Sequence, residues 1–411
     1  MKRINICVML LFLFACSSQS GNRKQSAEAT LTAPTVPLFV QMSDAELKRN
    51  PDPRLIDFRE KPKWEYTNGL ICLAVLQVWQ KTGDEKYYNY AKSYADSMIR
   101  DNGSILTYKK SDFNIDRLNA GKFLFTLYNQ ESTDRYRLAL DTLRSQMEEH
   151  PRTAEGGFWH KKRYPNQMWL DGLYMGSPML AQYAAEFEEP ALFDDVAQQF
   201  YLIDKYTWDN EKELFYHGWD ESKTQRWSNP ETGVSPHFWG RGMGWLAMAL
   251  VDVLDYFPED HPKREVILNI LDKMAKSVVR YQDEETGVWW QVLDKAHEDG
   301  NYLEASCSSM FTYFLLKGVQ KGYLSDEYKP VAEKAYKGVV SQFVKYEEDG
   351  TVSLTNICGV AGLGGTPYRS GTYEYYINEP KRDNDPKGVG PFIMASLLYE
   401  TQFADQKNAA L

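Results

Sequence analysis

From residue 43 onward apolar positions recur at three- and four-residue spacing in one stretch after another, while few runs alternate strictly enough to read as strands. Two kinds of stretch can be told apart. Residues 66–80, 115–128, 168–187, 239–257, 303–322 and 385–402 are apolar on nearly every side, whereas 43–50, 84–100, 133–149, 190–207, 262–281 and 326–346 carry one apolar stripe on a polar body. The two kinds strictly alternate along the chain. A helix that is apolar all round has to be enclosed, and a helix with one stripe belongs at the surface. The alternation therefore predicts an all-α fold in which six inner helices are wrapped by an outer ring, an (α/α)6 barrel or six-hairpin toroid. The loops that precede the inner helices of such a toroid emerge at one end. Asp116, Asp171, Trp239 and Arg241 all fall at predicted inner-helix starts, and the long segments 209–237 and 347–383 are large enough to wall a pocket there. No internal linker interrupts residues 38–411, which predicts one domain.

The residues before this array follow another rule. Lys2 and Arg3 precede an apolar run over 6–14, and Leu13, Phe14, Ala15 and Cys16 form a lipobox-like sequence, so residues 1–16 read as a lipoprotein signal peptide with Cys16 as the lipidated residue. The run is too short for a typical membrane-spanning helix. Residues 17–37 are poor in apolar side chains and read as a flexible tether. The resulting expectation is an exported, periplasmic lipoprotein anchored to the outer membrane, touching the membrane only through its N-terminal lipid.

Charge and cysteine usage narrow the chemistry. A formal net charge of -10 argues against a nucleic-acid partner, since phosphate binding needs a basic surface. An anionic substrate would have to be small and met by local cations. Apart from Cys7 and Cys16, the cysteines are Cys72, Cys307 and Cys358, too few for a disulfide framework, and no pair of cysteines or HExxH run has metal-ligand spacing. No metal and no cofactor is expected. Aromatic residues make up 14% of the 411-residue chain, with 11 Trp and 27 Tyr, which suits a cleft that stacks sugar rings as well as ordinary packing.

The densest candidate chemistry lies in HKKRYPNQMWLDGLYMGSPMLAQYA (160–184). Asp171 stands at a helix mouth behind His160, Lys161, Tyr164 and Trp169, where aromatic burial raises a carboxyl pKa and a helix N-terminus lowers it. As plain structure the same aspartate is an N-cap, and HKKR a solvated basic run. Asp116 in FNIDRLNAGK (113–122) is a second acid at an inner-helix mouth, with the same capping alternative. Arg241 sits between Gly240 and Gly242 in WGRGMGW (239–245), which leaves space for a guanidinium to fork onto a carboxylate beside Trp239 and Trp245, or else marks a surface loop. His217 can donate to a sugar hydroxyl or to an attacking water, or satisfy a structural bond. The run GVAGLGG (359–365) lacks nucleotide-loop spacing and reads as a tight loop over the pocket.

These strings, with KWEYTNGL (63–70), WGRGMGWLAMALVDVL (239–254), LEASCSSMFTYFLLKGVQKGYL (303–324) and CGVAGLGGTPYRSGTYEYYINEP (358–380) followed by DPKGVGPFIMASLLYE (385–400), resemble glycoside hydrolase family 105 over nearly the whole mature chain. That family is the unsaturated rhamnogalacturonyl hydrolases. The resemblance implies an enzyme that removes the non-reducing-end 4,5-unsaturated uronic acid from lyase-generated, rhamnogalacturonan-type oligosaccharides by hydrating the C4=C5 vinyl ether. Asp171 would be the principal proton donor and acceptor with Asp116 the second acid, while Tyr66, His160, Lys161, Trp169, His217, Trp239, Arg241 and Trp245 would contact substrate. Family 88 unsaturated glucuronyl hydrolases share barrel and chemistry and stand as the alternative. A non-catalytic carbohydrate-binding lipoprotein and a conventional glycosidase of the same toroid are further readings. The sequence leaves the oligomeric state and the sugar next to the uronide open.

Overall fold

In the computed structural model the apolar and striped stretches become two concentric sets of helices. Chain order runs α1 (Leu38–Arg49), α2 (Tyr66–Thr82), α3 (Glu85–Met98), α4 (Asp116–Asn119), α5 (Leu124–Glu131), α6 (Asp134–Glu148), α7 (Leu170–Glu186) and α8 (Ala191–Thr207). It continues with α9 (Gly240–Val253), α10 (Arg264–Arg280), α11 (Ala305–Gln320), α12 (Lys329–Phe343), the short α13 (Tyr373–Ile377) and α14 (Pro386–Asn408). The structure describes residues 36–408, with side chains through Thr401. Cys16, the signal sequence and nearly all of the tether lie outside the described residues.

Contacts close the inner ring. Helix α2 packs on α4, α4 on α7, α7 on α9, α9 on α11, α11 on α14 and α14 back on α2, while α3, α6, α8, α10, α12 and α1 each cover an inner neighbour from outside. This is the (α/α)6 barrel that the alternation predicts. Burial follows the pattern that produced it: every residue of α9 is buried, whereas α10 buries Ile267, Ile270, Leu271, Met274, Ala275 and Val278, a single stripe at helical spacing. Among the described residues no helix is long and apolar enough to cross a membrane.

Two expectations need correction. The stretch 115–128 is not one helix, because residues 120–123 form a turn between α4 and α5. Close approach explains the break: a Cβ on Gly69 of α2 would lie 2.5 Å from Ala120 Cα, and one on Gly121 would lie 2.2 Å from Leu143 Cδ1 of α6. A Gly69→Ala change would push two backbones apart, an overpacking that costs about 1–3 kcal/mol. The chain also forms four short antiparallel ribbons where helix or loop was expected: β1 (Gln167–Trp169) with β4 (Gly218–Asp220), β2 (Trp208–Asp209) with β3 (Leu214–Phe215), β5 (Val344–Tyr346) with β6 (Val352–Leu354), and β7 (Ile357–Cys358) with β8 (Lys381–Arg382). The first and last of these shape the functional end of the barrel.

Candidate active site

Residues at or near the starts of α2, α4, α7, α9 and α14 line one cleft of about 910 Å³. Tyr66 opens α2, Asp116 opens α4, and Asp171 and Met175 lie one turn apart on α7; all four line the cleft together with His160, Lys161, Trp169 and Trp245. Seven of the residues singled out in the sequence therefore meet on one wall. The side of the cleft formed by the segment after β7 contributes Val360 and Ala361, in keeping with the expected loop over the pocket.

Asp171 is the second residue of α7, and the N-cap is Trp169, so the carboxylate does not cap its own helix. Its side chain keeps 15% of its accessible surface. The nearest cationic-capable group is His217, whose Nε2 lies 3.3 Å from Asp171 Oδ2 without the alignment of a hydrogen bond. On the other edge of the same ring, Nδ1 lies 2.7 Å from the hydroxyl of Tyr376. Burial, reinforced by Tyr375 and Asp171, pushes the Tyr376 phenol well above its ordinary pKa, so the hydroxyl keeps its proton; in the tautomer where it gives that proton to Nδ1, the imidazole proton is on Nε2, facing Asp171. The β1–β4 ribbon makes this meeting possible: Trp169 pairs with Gly218, and Leu170 N donates to His217 O at 3.0 Å.

Asp116 has different company. Lys161 Nζ forms an ion pair with Oδ2, and His160 Nε2 lies 3.3 Å from Oδ1. Burial, followed by the charge of Lys161, holds the His160 pKa well below its usual value, so the ring is neutral. It stacks on Trp169 with centroids 4.4 Å apart, and Tyr164 covers the other part of that indole at 4.9 Å. Gly172 admits the His160 ring, since a Cβ there would lie 3.2 Å from Nδ1.

Arg241 and Trp239 are placed differently from the expectation. Arg241 is fully buried and lies behind the cleft wall. Its Nη1 donates to Cys358 O at 2.6 Å and to Ser306 Oγ at 3.3 Å, and its Nη2 to Gly359 O at 3.1 Å, so the guanidinium fork is occupied by the loop after β7. The flanking glycines do not clear space for it. A Cβ on Gly240 would meet Cys307 Sγ and Trp290 O at 2.9 Å, and one on Gly242 would meet the Trp239 and His217 rings. Trp239 itself packs with Tyr376, Val292, Cys358 and Ala361, and His217 is fully buried; both stand behind the wall rather than on it.

Sequence reasoning missed much of the positive charge. Arg59, Lys63, Arg117, Lys161, Lys162, Arg163, Arg369, Arg382 and Lys387 line the cleft against five carboxylates, Asp57, Glu65, Asp112, Asp116 and Asp171. The cleft is a basic island in a chain of net charge -10. Arg369 stands near the aromatic stack, with Nη2 on Tyr164 Oη at 2.7 Å and Cζ 5.6 Å from the Trp169 ring, and no carboxylate pairs with it among the described residues. Its sequence signals were its place in the long segment 347–383 and in the family-like block 358–380. Among the described residues no group of three or more His, Cys, Asp or Glu side chains is placed to hold a metal ion.

Comparison with known proteins agrees with this geometry. The model of Glycosyl Hydrolase Family 88 matches residues 38–403. A solved Clostridium structure, the C. acetobutylicum glycoside hydrolase from family 105, superposes with a TM-score of 0.86 at 45% identity, covering 89% of this chain and 100% of the other. An unsaturated rhamnogalacturonyl hydrolase of Bacillus subtilis is 27% identical over 71% of this chain and 78% of its own length. The unsaturated glucuronyl hydrolase of Bacillus sp. GL1 shares the fold at 14% identity, with a TM-score of 0.65 over 89% of this chain and 95% of that one. With the barrel, the acid-bearing helix mouths and the family match in agreement, the chain belongs to glycoside hydrolase family 105 and is a hydrolase of O-glycosyl bonds.

Proposed function

We propose that the enzyme removes a terminal 4,5-unsaturated uronic acid from lyase-generated oligosaccharides of rhamnogalacturonan type, with Asp171 as general acid and base. The observation that carries this reading is the state of Asp171: a carboxylate on the wall of a cationic, aromatic cleft, with no aligned hydrogen bond from the protein and the His217 Nε2 at 3.3 Å. Asp116 is taken up by Lys161 and His160. That leaves one available acid where direct displacement at an anomeric carbon uses two. A vinyl ether needs only one proton and one water.

In the proposed sequence the Asp171 carboxyl gives its proton to C4, and the positive charge at C5 is shared with the ring oxygen. Water adds to C5 and returns a proton to Asp171. The resulting hemiketal opens, leaving a ketone at C5 and a hemiacetal at C1, which expels the remaining sugar as an alcohol. Arg369, and Lys161 shared with Asp116, supply positive charge for the uronate carboxylate, and Trp169, stacked with His160 and Tyr164, offers its ring edge to the sugar. His217, behind the wall, orients Asp171. The match to the Bacillus subtilis rhamnogalacturonyl hydrolase supports the substrate class.

The test is to incubate the purified protein with lyase digests of rhamnogalacturonan, ulvan and arabinogalactan and to follow absorbance of the conjugated double bond. Loss of absorbance on the rhamnogalacturonan digest, with saturated glycosides untouched, is expected; persistent absorbance across the panel would overturn the reading. We also propose that Cys16 carries a lipid that holds the exported enzyme at the outer membrane, which fatty-acid labelling of the wild type and of Cys16→Ser checks directly.

A further inference from the structure

Away from Asp171 the cleft carries a feature that the hydration chemistry does not use. Phe58 lines it and is 63% exposed. Asp57 and Phe58 are consecutive non-glycine residues with left-handed backbone, φ 73° and 56°, a conformation that side-chain-bearing residues avoid unless their surroundings impose it. The Asp57 carboxylate takes Lys387 Nζ at 3.1 Å on one oxygen, and Arg59 Nη2 at 3.0 Å and Thr67 Oγ1 at 3.5 Å on the other. Three partners thus clamp a strained turn whose product is an aromatic ring held open to solvent. Unexplained, it is a liability; as a platform for the apolar C–H face of a pyranose, it is useful.

The charge around that ring is unbalanced. Arg382 Cζ lies 5.3 Å from its centroid and 3.7 Å separates its Nη1 from Asp385 Oδ2, while Arg59, Lys63, Arg117 and Lys387 line the same cleft, so five cations there share the three carboxylates of Asp57, Glu65 and Asp385. Two buried donors in this group, Arg59 Nε and Arg117 Nη1, have no partner. The cleft, at about 910 Å³, is at the upper end for small-ligand sites and has room for more than one sugar ring. If Asp171 marks the unsaturated uronide, the remainder of the oligosaccharide has to run along the cleft away from it.

We propose that Phe58 is the stacking floor of a second sugar subsite on the leaving-group side, and that Arg59 and Arg382 make it select a sugar bearing an anionic group, a carboxylate or a sulfate. This inference rests on the hydrolase reading above and deepens it, shifting the preferred second sugar from the neutral rhamnose of plain rhamnogalacturonan to a charged one such as a sulfated rhamnose. The experiment compares three unsaturated uronides, carrying a methyl aglycone, a neutral second sugar, or a second sugar with a carboxylate or sulfate in separate arms. Phe58→Ala is expected to raise KM about five- to tenfold for the disaccharides relative to the methyl glycoside, with kcat within twofold, and Phe58→Trp to restore it. Arg382→Gln is expected to remove a threefold to tenfold preference for the anionic second sugar, a preference that raised salt also weakens. A KM ratio unmoved by Phe58→Ala overturns the subsite, and equal wild-type KM for neutral and anionic arms overturns its charge selectivity. Should no substrate lose its double bond, the hydration reading fails instead. Calorimetric binding of the same disaccharides to wild type and Phe58→Ala then decides the subsite alone: weaker binding to the variant supports it, equal binding overturns it.

Discussion

Two aspartates on neighbouring inner helices show how the same side chain is put to opposite uses. Asp252, near the end of α9, is locked: Lys317 Nζ lies 2.6 Å away and Tyr313 Oη 2.8 Å, and the same lysine reaches Asp255 at 2.6 Å. Asp171, at the start of α7, has a misaligned histidine on one side and the cleft on the other. The first arrangement meets nearly all the demand of a buried charge. The second leaves demand unmet, and only an unmet carboxylate can exchange a proton with a substrate at low cost. Between them stands Lys122, in the turn before α5, fully enclosed, with no hydrogen bond and its Nζ 3.4 Å from the centroid of the Tyr174 ring.

Four substitutions test the contrast between the locked and the open carboxylate. Asp171→Asn keeps the shape and removes the proton, so kcat is expected to fall by about 10²–10⁴ with the melting temperature unchanged; near-normal turnover would show that the open aspartate is not the acid. Lys317→Met does the reverse. It leaves Asp252 and Asp255 buried without their cation, and urea unfolding should read a loss of about 3–5 kcal/mol while kcat per folded molecule stays the same. If stability is unchanged, the lock is not a lock.

Lys122 gives a pH signature. Burial, only partly offset by Asp252, lowers its pKa from the ordinary 10.5 to about 7 in the folded protein. Below pH 7 both folded and unfolded chains hold the proton, so the full cost of burying the charge is present. Between about pH 7 and 10.5 the unfolded chain binds more protons, so stability rises with pH. Lys122→Met is expected to abolish that rise and to be more stable than wild type at pH 7 by a few kcal/mol, as read by denaturant unfolding across the range. The smallest effect belongs to Tyr376→Phe. Removing the hydroxyl that pairs with His217 Nδ1 frees the imidazole to change tautomer, and a loss of about 1 kcal/mol, roughly fivefold in kcat with KM unchanged and a displaced pH profile, is expected. An unchanged pH profile would remove the Tyr376–His217–Asp171 chain from the mechanism.

Much of the site was legible because it is local. His160, Lys161, Trp169 and Asp171 lie within one short stretch that leads into α7, and helix-mouth positions of an alternating array have to share an end, which also brings Asp116, Tyr66 and Trp245 to the cleft. Arg241 lies elsewhere than its sequence context suggests, because a glycine-flanked arginine reads as free whereas its fork is taken by two carbonyls 117 and 118 residues away. The cations of the outer cleft went unread for the complementary reason. Arg59 and Lys63 share the loop that carries Glu65, but Arg117 reaches the same carboxylate from α4, and Arg369 and Arg382 come from the long last loop.

From the residue pattern alone came the architecture and the end of the barrel that carries the cleft, since hydrophobic period is a property of neighbours a few positions apart and states directly which faces must be enclosed. The tertiary structure alone decided which charges are spent and which remain available. The pairing of β1 with β4 sets His217 beside Asp171, Lys161 occupies Asp116, and the clamp on Asp57 turns Phe58 into the cleft. The reason is that charge interactions fall off over a few ångströms, so their outcome depends on distances between residues far apart in the chain, which no pattern of neighbours encodes.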